Sequence, residues 1–291
     1  GGAGSSRVSR GGVSGVQTHL RMSPGGLGGL PHGRYTVGND VGGAPDAYLV
    51  RSQKMHDMVL PASVKAIGRA GAGVNNIPVA KCSEQGVVVF NAPGANANAV
   101  KELVIAGMLL AARNLIPAYN FTQGLSGDDA TLHKAVEDGK KNFVGWELPG
   151  KTLGVIGLGA IGVKVANSAT DLGMKVLGFD PAITVQNAWQ LNAAVEQAIS
   201  VDDLVARCDV ITVHVPLLDA TKNIINSDRV AKAKKGLTIL NFAREGIVSE
   251  EAVLEGLNNG QLRAYINDFP SNLLYKHPKV VSLPHLGAST N

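Results

Sequence analysis

Cysteine is nearly absent from this chain: Cys82 and Cys208 are the only two in 291 residues, and neither sits in a CxxC or Cys/His spacing. A disulfide framework and a thiolate metal centre are therefore excluded, and a reducing, cytoplasmic setting is expected, with a plastid or other organelle as the alternative. No cluster of His, Cys and carboxylates suggests any other metal site. Long apolar runs are missing too. The longest, Leu103 to Ala112, contains Gly107 and is half the ~20 residues a bilayer requires, so it reads as a buried or interface helix. Aromatics make up only 4%. Lys and Arg outnumber Asp and Glu by four but are spread along the chain, without the aromatic interleaving of a nucleic-acid groove. That excess amounts to a mild attraction for small anions. The opening Gly1 to Gly15 has no apolar core of a secretory signal and reads as a flexible lead.

What is abundant is glycine, 36 residues, alongside 45% hydrophobic content. This balance favours an α/β chain with tight strand-to-helix turns. From Leu153 onward, β-branched runs at Leu153 to Ile156, Lys175 to Phe179, Val210 to His214, Leu237 to Leu240 and Ala264 to Ile266 alternate with helix-like segments. Such alternation predicts a doubly wound parallel sheet covered on both faces. Ser200 with Asp203 and Ser249 before Glu250 read as helix starts, and Asn259-Gly260 as a stop. Before about residue 98, candidate strands at Ala47 to Arg51, Val64 to Gly68 and Val87 to Phe90 predict a second, smaller α/β domain. The turn Asn91-Ala92-Pro93-Gly94 and the helix from about Asn98 form the hinge. The expected division is a lead over 1–15, the smaller domain over 16–97, the Rossmann domain over 98–284, and a truncated return toward the smaller domain over 285–291.

One glycine turn carries chemistry. Gly157-Leu158-Gly159-Ala160-Ile161-Gly162 follows an apolar strand, opens a helix, and is succeeded at the end of the next strand by Asp180. Gly157 permits the tight turn, Gly159 removes a side chain where a pyrophosphate approaches, and Gly162 lets helix and strand pack closely. The amides of Ala160 and Ile161 then face the phosphates at a helix N-terminus. A carboxylate at Asp180 accepts from ribose hydroxyls and repels a 2′-phosphate, which selects NAD over NADP. The bland alternative makes Asp180 a cap on the turn before Pro181. Two other glycine clusters fail the test: Gly71-Ala72-Gly73 lacks a third glycine, and Gly25 to Gly29 is broken by Pro31.

Arg244 follows the strand Leu237 to Leu240, and His285 follows the run Val280 to Leu283, so both belong at the carboxyl edge of the sheet, where open parallel sheets bind ligands. A guanidinium fork suits a carboxylate and keto oxygen, and an imidazolium can protonate a developing alkoxide. Asp268, the only acid between Leu262 and His285, is the candidate carboxylate partner by elimination. Taken singly, each is more often a surface or packing residue; together at one sheet edge they read as a site. His214 also ends a strand, and its neighbourhood is assigned to the adenosine side of the cofactor. His19, His32, His56, His133 and His277 have no supporting partners.

These residues resemble the D-isomer-specific 2-hydroxyacid dehydrogenases, most closely their phosphoglycerate-oxidising branch. The carriers are Val50-Arg51-Ser52, Gly68 to Val74, Asn91 to Asn96, Gly150 to Leu153 with the glycine turn, Asn241 to Arg244, and Pro284 to Thr290. The resemblance implies NAD-linked oxidation of 3-phosphoglycerate to 3-phosphohydroxypyruvate, the entry step of serine biosynthesis. It implies that Arg244 binds substrate, that His285 is the acid/base, and that Arg51, Ser52, Arg69, Gly71, Ala72 and Gly73 hold the anionic end. Lys140 and Lys141 are candidates for further anion contacts, within the chain or across a subunit boundary. It also implies cofactor contacts from Ala72, Val215, Pro216, Phe242, Ala243, Arg244, Asp268, His285, Gly287 and Ala288. The chain departs from the pattern in two places. Asn267-Asp268-Phe269-Pro270 stands where the family has Asp-Val-Phe followed by Glu-Pro, so Asp268 takes over the histidine pairing or the carboxamide contact, or His285 has a weaker partner. Glu245 replaces the glycine that usually follows the arginine.

Two other functions stay open: a reductase of glyoxylate, hydroxypyruvate or another 2-keto acid, and a non-catalytic NAD-sensing protein. The partners expected are a small anionic 2-hydroxy or 2-keto acid and a second copy of the chain in a homodimer or higher homo-oligomer, the apolar helix Leu103 to Ala112 supplying the surface. Neither a nucleic acid nor a membrane is expected.

Overall fold

The computed structural model describes residues 13–19, 27 and 29–290. The chain divides into two compact units, one running to Ala95 and the other spanning Asn96–Thr290.

The second unit is built on a parallel sheet with strands β6 (Thr152–Ile156), β7 (Lys175–Phe179), β8 (Glu196–Gln197), β9 (Val210–Val213), β10 (Leu237–Asn241), β11 (Leu262–Asn267) and β12 (Val280–Ser282). Their spatial order is β12-β11-β10-β9-β6-β7-β8. The order reverses between β6 and β9, and such a reversal opens a crevice at the carboxyl ends of the strands. The β-branched runs form strands because both faces are covered. Leu153, Val155, Leu240 and Ile266 pack into one core with Val104 and Met108 of α2 (Ala97–Ala112) and Val163 and Ala166 of α5 (Ala160–Asp171). Residues of the opposite parity, Ile156, Ile211, Ile239 and Tyr265, pack into the other. That core is closed by Leu204 of α7 (Val201–Arg207), Val230 of α8 (Ser227–Lys232) and Val253 of α9 (Glu250–Asn258). Truncating one of these side chains to alanine costs about 2–5 kcal/mol.

Helix punctuation follows the expected residues. Ser200 Oγ accepts from the Asp203 N–H at 3.0 Å, Ser249 Oγ accepts from the Ala252 N–H at 3.3 Å, and Gly260 takes a φ of +78° after α9. The apolar run Leu103 to Ala112 lies within α2, where Val104, Gly107, Met108 and Ala112 are buried. A Cβ on Gly107 would stand 2.9 Å from the Phe242 ring, so this glycine lets α2 settle directly onto the sheet.

The first unit is a smaller parallel sheet of β1 (Ser14–His19), β2 (Tyr35–Gly38), β3 (Ala47–Val50), β4 (Ala66–Arg69) and β5 (Val88–Asn91), in the order β2-β1-β3-β4-β5. Tyr48, Val50, Met55, Ile67, Ile77, Cys82 and Val87 form its core, with Cys82 on the short helix α1 (Val79–Glu84). Strands β1 and β2 were not anticipated. In Ser-Gly-Val-Gln-Thr-His only Val16 is a large aliphatic residue, and the alternation that builds the strand buries Val16 and Thr18. The lead drawn over 1–15 is corrected at Ser14 and Gly15, which belong to β1; Gly1 to Gly12 lie outside the described residues. So does the Gly25 to Gly29 cluster, apart from Leu27 and Gly29. The unit boundary falls after Ala95 rather than Ala97, since Asn96 is already the N-cap residue of α2. The segment after Pro284, expected to return toward the smaller domain, bonds within the second unit through His285 and Gly287.

Candidate active site

The glycine turn sits at the switch point. Gly157 has a φ of +92°, and a Cβ there would lie 2.5 Å from the His214 carbonyl oxygen and 2.8 Å from Val215 Cγ1. Only glycine lets β6 and the end of β9 approach so closely. A Cβ on Gly162 would meet the Gly157 carbonyl oxygen at 1.9 Å, whereas one on Gly159 would meet nothing within 4 Å. Two glycines are thus required by packing, and the third leaves open space at the mouth of the turn. Gly159 is the N-cap residue of α5, whose first helical residues are Ala160 and Ile161. The amides of that turn have no intrahelical acceptor, and Val163 is the first to bond back, to the Gly159 carbonyl at 3.1 Å.

Asp180 caps the turn, as the bland alternative has it. Its Oδ2 accepts from the Leu158 N–H at 2.8 Å and its Oδ1 from the Ala182 N–H at 2.9 Å, so the carboxylate ties the glycine turn to the end of β7. An ionised carboxylate has about four acceptor positions, which leaves two for ribose hydroxyls.

Three consecutive strands deliver the candidate catalytic residues to one rim. Arg244 follows β10, Asp268 follows β11, and His285 follows β12. Arg244 and His285 are exposed, while Asp268 is only 1% exposed. Burial raises the Asp268 carboxyl above its usual range, opposed by the nearby positive groups of His285 and Arg244 and by the backbone N–H of Gly287. Its Oδ2 accepts from Gly287 at 3.3 Å, and its backbone carbonyl accepts from the His285 N–H at 3.2 Å. Its Oδ1 is buried without a partner among the described residues. The side-chain pairing of Asp268 with His285 is therefore not made through a hydrogen bond here; Asp268 grips the segment that carries His285, which adopts a φ of +47° with its ring edge-on to Phe269 at 5.2 Å.

His214 stands apart from this rim chemistry. Its Nε2 shares a 2.8 Å hydrogen bond with Thr212 Oγ1, its Nδ1 is buried and unpartnered among the described residues, and burial pushes its pKa down to about 3. A ring held neutral in this way suits lining, not proton transfer. The Phe242 ring is buried under α2 and is a core residue rather than an exposed cofactor surface. Gly287 is buried against Val100, Ala288 is partly buried, and Pro216 is exposed beyond Val215. Lys140 and Lys141, in a 3₁₀ turn after α4 (Asp129–Gly139), border a cavity of about 560 Å³ with Arg113, Phe143 and Trp146.

In the first unit, Arg51 and Ser52 follow β3, and Arg69 ends β4, with Gly71, Ala72 and Gly73 following after Ala70. Gly71 has a φ of +140°, and a Cβ there would fall 1.4 Å from an Arg69 guanidinium nitrogen. The glycine makes room for the arginine. Asn91 Nδ2 donates to the Ala72 carbonyl at 2.8 Å, and the Ala92 N–H to the Gly71 carbonyl at 3.0 Å, so the end of β5 braces this loop.

Sequence reasoning missed the roles of Asn241, Tyr265 and Asn267. Asn241 and Asn267 are register partners on the last rung of β10 and β11, both 1% exposed. A polar residue closing an apolar strand was the available signal.

The open space at Gly159, the α5 N-terminus, the Asp180 carboxylate and the unpartnered Asp268 oxygen fit a dinucleotide with an amide at its reactive end. Comparison with known proteins agrees. Residues 105–287 match the family model of the D-isomer specific 2-hydroxyacid dehydrogenase NAD binding domain. The chain is 40% identical over 254 residues to a D-3-phosphoglycerate dehydrogenase of Methanocaldococcus jannaschii, covering 84% of this chain and 46% of that protein. It is 38% identical over 254 residues to the Bacillus subtilis protein of the same name, again covering 84% and 46%. The chain thus spans about half the length of the curated relatives it matches. Among solved structures, NAD+-bound 3-phosphoglycerate dehydrogenase of Entamoeba histolytica is similar with a TM-score of 0.72 and 27% identity, over 96% of this chain and 89% of that one. The chain belongs to the D-isomer specific 2-hydroxyacid dehydrogenase family, and its second unit carries that family's NAD-binding domain.

Proposed function

We propose that this protein is an NAD-dependent dehydrogenase that oxidises D-3-phosphoglycerate to 3-phosphohydroxypyruvate, the entry reaction of serine biosynthesis. The observation that carries this reading is the convergence of Arg244, Asp268 and His285 at the carboxyl ends of three adjacent strands in the sheet that bears the glycine turn. NAD, when bound, supplies the nicotinamide that accepts or returns a hydride. The chain's own residues do the rest. The Gly157–Gly162 turn and the α5 N-terminus hold the pyrophosphate, and Asp180 receives the ribose hydroxyls. Arg244 binds the substrate carboxylate as a bidentate fork. His285 removes the C2 hydroxyl proton in oxidation and returns it in reduction. Asp268 fixes the His285 segment and offers Oδ1 to an amide donor.

Arg51, Ser52, Arg69 and the Gly71–Gly73 loop are assigned to the phosphoryl end, where two guanidinium groups favour a doubly charged ligand over a neutral hydroxymethyl. The second copy expected from the apolar helix is assigned to the face that includes exposed Leu109, Leu115 and Ile116. Buried free cysteines are compatible with a reducing cytoplasm. Among the described residues no helix is long and apolar enough to cross a membrane.

The test is a steady-state comparison of phosphohydroxypyruvate with hydroxypyruvate and glyoxylate, each with NADH. The expected result is a higher kcat/KM for the phosphorylated acid. A preference for hydroxypyruvate or glyoxylate would move the protein to the related reductases, and NADH binding without turnover of any 2-keto acid would favour the sensing role.

A further inference from the structure

We infer that Asn241 is a positioning residue for Arg244, anchored in turn by the buried Tyr265; the inference rests on the dehydrogenase reading above. The last residue of a strand buried on both faces is ordinarily apolar, yet Asn241 is 1% exposed. A buried carboxamide must satisfy up to four hydrogen-bonding positions or incur a desolvation penalty, and Asn241 directs its bonds to the segment that carries the arginine. Its Oδ1 accepts from the Ala243 N–H at 3.1 Å, and its Nδ2 donates to the Arg244 carbonyl at 2.9 Å. The Arg244 guanidinium then donates to the Ala243 carbonyl at 2.7 Å. The asparagine therefore grips the peptide groups on either side of the Ala243–Arg244 peptide, and the guanidinium takes its bearing from the Ala243 carbonyl held between them.

Tyr265 holds the asparagine in place. It lies on β11 two residues before Asn267, the register partner of Asn241, so its side chain shares the face on which Asn241 sits. Tyr265 is 3% exposed, and burial raises its hydroxyl well above the usual range, opposed by the adjacent Asn241 side chain. On the same rung as Asn241, Asn267 does the equivalent for the neighbouring strands: its Oδ1 accepts from the Phe269 N–H at 2.8 Å and its Nδ2 donates to Ser282 Oγ at 3.1 Å. Carboxamides on a single rung thus connect the strand ends from which Arg244 and His285 emerge, without themselves being offered to substrate.

The test uses the full chain with Tyr265→Phe and Asn241→Ala, each made alone and in an Arg244→Ala background. Expected for Asn241→Ala is a fall in kcat/KM for the 2-keto acid of about tenfold or more, carried in kcat rather than in NADH affinity, with Tyr265→Phe showing a smaller fall in the same direction. In the Arg244→Ala background neither change should lower kcat/KM further, because the group being positioned is gone. A purely structural role would instead lower the melting temperature and give additive losses in both backgrounds. Should Asn241→Ala fail to fold, Tyr265→Phe decides: wild-type kcat/KM in a folded, NADH-binding Tyr265→Phe protein overturns the inference. A wild type that binds NADH but reduces no 2-keto acid overturns the dehydrogenase reading itself, an outcome separable from an active wild type with indifferent variants.

Discussion

The two units are parallel sheets that present residues beyond their strands' carboxyl ends, but they manage polarity in opposite ways. In the second unit the rim is backed by buried polar groups, Asn241, Asn267 and Asp268, each 1% exposed. In the first, Arg51 follows β3 and Arg69 ends β4, and the Gly71–Gly73 loop is braced by backbone bonds and by the exposed Asn91. A buried network fixes geometry to a fraction of an ångström at a cost in desolvation, which proton and hydride movement demand. The half-buried arginines Arg51 and Arg69 supply charge without such a carboxamide network, the arrangement proposed above for a phosphoryl group.

That contrast is broken or sharpened by substitution. The largest effect is expected for His285→Ala, a loss of about 10²–10⁴ in kcat/KM toward every 2-keto acid, as removal of a general acid produces. Arg51→Ala should cost less, about 10–100-fold for the phosphorylated acid with hydroxypyruvate turnover little changed, as loss of a charged contact gives. Equal losses on both substrates would end the division of labour. Asp180→Ala should raise the Kd for NADH while leaving that for NADPH equal or lower; binding titrations by nucleotide fluorescence read this directly.

Stability against pH separates the buried rim from the rest in smaller steps. His214 is held neutral in the folded state with a pKa of about 3, below the ~6.5 of the unfolded chain. Unfolding therefore takes up a proton between those values, and stability falls as pH drops below about 6.5, by at most about 1.4 kcal/mol per pH unit. Denaturant melts of His214→Gln at pH 7 and pH 5 should lose this group's slope. Asp268 has the opposite sign. Burial raises its carboxyl in the folded state, so the unfolded chain ionises first and stability declines as pH rises from about 4 through the raised value. Asp268→Asn should melt higher than wild type at neutral pH, by roughly 2–4 °C for each kcal/mol relieved, and turn over more slowly. An unchanged melting temperature would mean that the carboxylate is compensated in the fold.

Much of the second unit was legible in the amino-acid order, and the reason is burial. Val210–Val213 and Leu237–Asn241 are buried at every position and, apart from Thr212, Thr238 and Asn241, are apolar, so they mark strands directly. Strand β1 offers no such run, and β8 is two exposed polar residues, Glu196 and Gln197. Both form by pairing with neighbours, information that a single segment does not contain. The site follows the same rule. Gly157, Gly159, Asp180, Arg244 and His285 could be singled out because each stands at a turn or just past a strand. The bond from Asn241 to Arg244 depends on how a side chain folds back over a turn, and the pairing of Asn241 with Asn267 depends on register across strands. The room that Gly71 makes for Arg69 likewise appears only with a backbone in hand.

The central claim is that the rim formed by Arg244, Asp268 and His285 conducts hydride transfer to a phosphorylated 2-keto acid. The most direct measurement is to incubate the chain with phosphohydroxypyruvate and NADH carrying deuterium at nicotinamide C4 on each face in turn, then analyse the product by mass spectrometry and NMR. The account predicts 3-phosphoglycerate bearing deuterium at C2 from one labelled face only, with the transfer abolished in His285→Ala. Product without deuterium from either face, or label transfer undiminished in His285→Ala, would contradict it.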